Sequence, residues 1–213
     1  PPASATLEQA EDMWAFLADT ERAYAQGMIS YLKKDLGARA PISFTQASYG
    51  GVLGLRREAE ISDYVDMHGY WQHPKFPVKP WDRENWLIGN TSQIADPKGG
   101  TLASRAWHRF LDKPYTVSEY NHPAPSDSEV EMFPLLAAFA AFQDWDGVYS
   151  FTWRNNSEGY NEAKLRSYFD ISGHPGKKAF LPIAALMYRM QAIQAGGDPL
   201  AAVLPVGDLA RQV

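Results

Sequence analysis

The sequence predicts an α/β fold with a parallel sheet, and three observations carry that expectation. Short β-prone stretches alternate with longer stretches of helical period, the pattern of strand–helix units joined by crossovers. Each β-prone stretch begins apolar and ends polar, as strands do when their ends share one rim of a buried sheet. The chain has 213 residues, 45% hydrophobic and 21% charged, which suits a globular core. A complete (β/α)8 barrel takes about 250 residues, so four strand–helix units read as half of one, or as a four-stranded open sheet.

The first element is a long helix from Thr6 to about Lys34. Thr6 can cap it, Glu8, Glu11 and Asp12 suit its positive end, and Lys33 and Lys34 its negative end. Ala10, Trp14, Leu17, Tyr24, Met28, Tyr31 and Leu32 recur at helical spacing, and Gly37 closes the helix. A strand over 41–48 then runs into Gly50–Gly51, and Leu53–Ile61 forms a short helix. Asp63–Tyr70 is the second strand. Residues 71–99, rich in Pro, Trp and Asn, form a long loop of the kind that usually has a function. Thr101–Leu111 is a helix with Leu102, Trp107 and Phe110 inward.

Tyr115–His122 is the third strand, ending in Glu119, Tyr120, Asn121 and His122 before Pro123 and Pro125. A helix over Ser128–Phe142 follows, with Pro134 tolerable only in its first turn. Asp146–Trp153 is the fourth strand. Lys177 to about Ala195 is the last helix, closed by Gly196–Gly197. Residues 1–195 are expected to form one unit and 196–213 a tail or linker. Pro1–Thr6 has neither a basic start nor an apolar run, so it reads as a point where a longer chain was cut rather than as a signal peptide.

Composition narrows the function. Net charge is −5, and no basic patch points to nucleic acid or an anionic membrane surface. No apolar run reaches the about 18 residues of a membrane span. The absence of cysteine excludes disulfides, thiolate metal sites and thiol nucleophiles. Aromatic residues are abundant at 13%, and Trp71, Trp81 and Trp86 lie in loops beside polar residues, a surface suited to stacking on sugar rings.

Parallel strands would bring Gln46 and Ser48, His68 and Tyr70, Glu119, Asn121 and His122, and Trp153 with Asn155 to one rim. Sugar chemistry needs a carboxylate at the anomeric carbon, a donor to orient it, donors for hydroxyls and an aromatic floor. Glu119, Tyr70, the imidazoles with Asn121, and Trp153 suit those roles in turn. Taken singly, Glu119 also reads as a solvent-facing strand end, His68 as a hydrogen-bonded core histidine, His122 and His73 as loop residues, and Trp153 as core. No H-x-H or HExxH spacing supports zinc at His68, His122 and Glu119, so no metal or cofactor is expected.

His68-Gly69-Tyr70-Trp71, Ser118-Glu119-Tyr120-Asn121-His122 and Phe151-Thr152-Trp153 resemble the sixth, seventh and eighth strands of clan A retaining glycoside hydrolases, cellulase-like family 5 above all. The likeness covers roughly residues 7 to 195. It implies a (β/α)8 TIM-barrel type fold, of which this chain holds strands five to eight with their helices. It implies Glu119 as catalytic nucleophile with Tyr70 as its hydrogen-bond donor, and His68, Trp71, Asn121, His122 and Trp153 as substrate-binding residues. The substrate would be an oligosaccharide or polysaccharide, and the compartment secreted or periplasmic.

The family's acid/base Glu at the end of strand four has no counterpart here. Arg83-Glu84-Asn85 reverses the expected order and lies in a loop, and Glu158 lies past strand eight. The resemblance therefore implies an incomplete enzyme that pairs with the missing N-terminal half or with itself. A non-catalytic carbohydrate-binding protein on the same scaffold is the alternative. An unrelated aldolase-like or metal-dependent barrel comes last, because no Schiff-base Lys stands at a strand end.

Overall fold

The computed structural model describes residues 4–44, 51–155, 162 and 164–203. The chain divides into two compact units with interleaved segments. One comprises Pro1–Asp66, His108–Tyr115 and Pro199–Val213, the other Met67–Trp107 and Thr116–Asp198.

In the first unit, helix α1 spans Leu7–Ser30 and runs into a π turn over Tyr31–Asp35. Its start is a capping box: the Gln9 N–H donates to Thr6 Oγ1 and the Thr6 N–H to Gln9 Oε1. Gly37 follows with φ +66°, a conformation that favours glycine. Ala25 is the buried residue of the described helix, while Leu17, Tyr24, Met28 and Tyr31 are exposed. A helical period marks an apolar stripe but does not supply its cover. Among the described residues the neighbours of α1 are helix α2, Gly51–Ile61, and Phe44, whose ring lies 5.9 Å from that of Tyr24.

Glu60 of α2 accepts from Arg22 and Arg56. Asp63 Oδ2 accepts from the Ile42 N–H at 2.8 Å and pairs with Lys33 at 3.1 Å. The Ile42 amide and the Lys33 ammonium together hold its carboxyl below the usual aspartate range. The expected strand over 41–48 is not seen at 41–44, which are irregular, and 45–48, with Gln46 and Ser48, lie outside the described residues.

Three strands form one sheet in the order β1 (Val65–Tyr70), β2 (Tyr115–Asn121), β3 (Gly147–Ser150). β2 and β3 are parallel, with Thr116 opposite Gly147 and Val117 opposite Val148. The Trp71 N–H donates to the Asn121 carbonyl at 3.0 Å, so β1 and β2 also end together. Helix α3, Gly100–Ala106, lies against the end of β1. A Cβ at Gly69 would come within 2.9 Å of Thr101 Cγ2, so glycine permits this approach. Thr101 Oγ1 donates to the Tyr70 carbonyl and Arg105 to that of His68. Leu102 is buried as expected. Trp107 is 74% exposed rather than inward, because α3 ends at Ala106.

A 3-10 turn over Glu129–Glu131 leads into α4, Met132–Phe142, with Pro134 in its first turn as the chemistry of proline requires. Met132, Phe133, Leu136 and Ala140 are buried. Helix α5, Pro175–Arg189, packs on α4. It ends before the glycines expected to close it, because Gln191 turns to φ 50°. β3 stops at Ser150, short of the predicted Trp153, although the Phe151 N–H still donates to the Tyr120 carbonyl at 3.0 Å. Among the described residues no helix is long and apolar enough to cross a membrane.

Candidate active site

His68 and Tyr70 are two apart on β1 and share one face by strand alternation. β2 does not alternate simply. Between Val117, opposite Val148, and Tyr120, opposite Ser150, β2 carries one residue more than β3, a bulge at Ser118–Glu119. The burial pattern breaks there too: both residues are half-buried between buried Val117 and Tyr120. Bulges re-aim side chains, and this one presents two consecutive residues to β1.

Two side chains converge on Glu119 and its neighbour Ser118. The Tyr70 hydroxyl donates to Glu119 Oε2. His68 Nδ1 lies 3.1 Å from the same oxygen, and His68 Nε2 lies 3.0 Å from Ser118 Oγ. A carboxylate only accepts, so Nδ1 carries a proton, and a neutral ring then accepts from the Ser118 hydroxyl at Nε2. Burial, and then the Glu119 carboxylate, push the Tyr70 phenol well above the usual tyrosine range. It is therefore a proton donor to Glu119 across ordinary pH. The Glu119 side chain remains 30% exposed, open enough to meet a ligand.

Around Tyr70 lies an aromatic bed. Its ring is 4.7 Å from Phe169, tilted by 30°, and 6.2 Å from Phe151, edge-on. His73 lies 5.7 Å from Tyr70 on one side and 5.7 Å from Trp81 on the other. Phe169 and Tyr168 join the site without having been expected at the rim; their mark in the sequence is an adjacent aromatic pair in a stretch without clear period. Ser118, the partner of His68, carries no such mark.

The loop over 71–99 is pinned to the rim. Lys75 and Leu87 form an antiparallel bridge. The Trp86 indole donates to the Ala124 carbonyl at 2.7 Å, and Asn90 bonds Asp127 in both directions. Trp71 is half-buried, its indole donating to the Thr91 carbonyl at 2.8 Å. With His68, Tyr70, Lys98, Arg105 and Trp107 it lines an open cleft of about 720 Å³. Trp153, 42% exposed, is held by its carbonyl, which accepts from Ile171 and Ser172.

The two remaining predicted binding residues are corrected. Asn121 is fully buried: its amide donates to the Phe151 and Phe169 carbonyls and accepts from Lys177. His122 is 2% exposed, its Nε2 2.9 Å from the Tyr120 hydroxyl, which donates to Gln93 Oε1. Burial, and then the Lys177 charge, push His122 down to about 3. Both residues follow the bulge, where the strand turns its side chains into the protein. His122 therefore does not join His68 and Glu119, and among the described residues no group of three His, Cys, Asp or Glu side chains could hold a metal ion. Glu84 sits in an exposed turn capped by Asp82, and Glu158 lies outside the described residues.

No family model matches the chain, and no curated protein matches it.

Proposed function

We propose that this chain is the nucleophile-bearing half of a retaining β-glycoside hydrolase barrel acting on an oligosaccharide or polysaccharide. The observation that carries the reading is the Glu119 carboxylate, partly exposed at the end of a parallel strand and oriented at one oxygen by Tyr70 and His68. An oriented carboxylate suits in-line attack, because its free oxygen is held toward one direction. Glu119 would attack the anomeric carbon as the bond to the leaving oxygen breaks. That oxygen would take its proton from a second carboxyl group about 5–5.5 Å from the first.

The second carboxyl group is proposed to come from barrel strands outside these 213 residues. Among the described residues β3 is the outer strand of the sheet, and its edge is where those strands would pair. Beside it, Phe133, Leu136, Val148, Leu181 and Ala184 line a cavity of about 480 Å³ between α4, β3 and α5.

The test uses the full-length protein on aryl β-glycosides. Glu119→Ala should lose turnover by several orders of magnitude, and azide should restore it, giving a glycosyl azide of inverted anomeric configuration. Near-normal turnover by Glu119→Ala removes Glu119 from the role. Oligosaccharide binding without hydrolysis, in the presence of the missing half, favours a carbohydrate-binding protein, a reading suited to the open cleft that Tyr70, Trp71 and Trp107 line.

A further inference from the structure

Lys177 is fully buried at the start of α5, and its ammonium has two hydrogen-bond acceptors and one ion-pair partner. It donates to Asn121 Oδ1 at 2.9 Å and to the His122 carbonyl, and it lies 3.1 Å from Glu129 Oε2. His174 Nε2 approaches the same Glu129 oxygen at 3.2 Å, while His174 Nδ1 accepts from the Lys177 N–H and caps α5. Glu129 Oε1 accepts from the Ser126 N–H.

Burying such a group is costly, and apolar side chains of similar volume often give equal or better stability. What an ammonium supplies and an apolar chain does not is direction. Lys177 binds the oxygen of the Asn121 amide, which turns the amide nitrogen toward the Phe151 and Phe169 carbonyls. The rings of those two residues flank Tyr70, and Tyr70 bonds Glu119. The chain of contacts from α5 to the candidate nucleophile is continuous.

We propose that Lys177 is a positioning residue for the candidate active site. Through Asn121 it sets the end of β2 and seats the aromatic bed that holds Tyr70 on Glu119. The proposal rests on the reading of Glu119 as the nucleophile, but its first test does not depend on activity.

The full-length protein is compared with Lys177→Met and with Lys177→Met/Glu129→Gln, which leaves no unpaired buried carboxylate. Tyrosine side chains labelled with carbon-13 at Cζ are titrated by NMR, with Tyr70→Phe identifying the Tyr70 signal. Wild-type Tyr70 should stay un-ionised while the exposed tyrosines titrate. In the folded double variant it should lose that resistance and titrate among them. On an aryl β-glycoside, kcat should fall about tenfold or more with KM nearly unchanged, an interaction of about 1.4 kcal/mol felt in the transition state. An unchanged Tyr70 titration in either folded variant overturns the proposal. So does loss of the fold in both variants, since Lys177 would then serve overall stability. A wild-type protein without glycosidase activity sinks the reading of Glu119 and leaves the titration to judge Lys177.

Discussion

The Tyr70 hydroxyl donates to the one Glu119 oxygen that His68 Nδ1 also faces, across two adjacent parallel strands. Both contacts fall on Oε2, so the carboxylate is held from one side.

Removing the hydroxyl tests how much that costs. Tyr70→Phe keeps the ring against Phe151 and Phe169 and deletes one charge-assisted hydrogen bond, worth about 1.5–3 kcal/mol. Turnover on an aryl β-glycoside should fall about 10- to 100-fold. Unaltered kcat would show that Tyr70 does not orient Glu119.

Ser118 acts one step further out. Its hydroxyl faces His68 Nε2 at 3.0 Å, which favours the tautomer protonated at Nδ1. Because Glu119 Oε2 still faces Nδ1, Ser118→Ala should leave the Nδ1–H tautomer dominant, visible in the nitrogen-15 shifts of the ring. A shift to the Nε2–H tautomer would show that Ser118, and not Glu119, sets it.

Asn121 is tested through stability. Asn121→Leu leaves the Lys177 ammonium one acceptor short and two backbone carbonyls without their donor. A loss of about 3 kcal/mol or more is expected in urea unfolding. A loss under about 1 kcal/mol would return Asn121 to the list of ligand-facing residues.

Acid should weaken the fold through His122. Its folded pKa of about 3 lies below the about 6.5 of an unfolded histidine, so between these values the unfolded chain binds a proton that the folded one refuses. The stability it contributes is complete above about pH 6.5 and is lost toward pH 3, at about 1.4 kcal/mol per pH unit. Burial lowers His174 as well, in the same direction. Urea midpoints from pH 7 to 4 should fall more steeply for wild type than for His122→Gln; parallel curves would contradict the assignment.

Much of this was open to reading from the chain alone. Period-two alternation puts His68 and Tyr70 on one face of β1, and the apolar start of β2 puts Glu119 near its end. Thr6 announces its cap, and Pro134 its place in the first turn of α4. These are local properties: each depends on residues within a turn or a strand of one another, where side-chain direction follows from the backbone.

Other features depend on partners far along the chain, and only the folded molecule displays them. Strand alternation carries no mark of the bulge at Ser118–Glu119, which appears only in register against β3. Asn121 and His122 read as rim residues until Lys177, which begins a helix more than fifty residues later, closes over them. The stripe of α1 repeats as a buried face should, yet most of it is exposed. Sequence pattern states which residues need burial or a hydrogen-bond partner. Which of those needs is met, and by what, is decided by long-range packing, because burial and pairing belong to the contact and not to the residue.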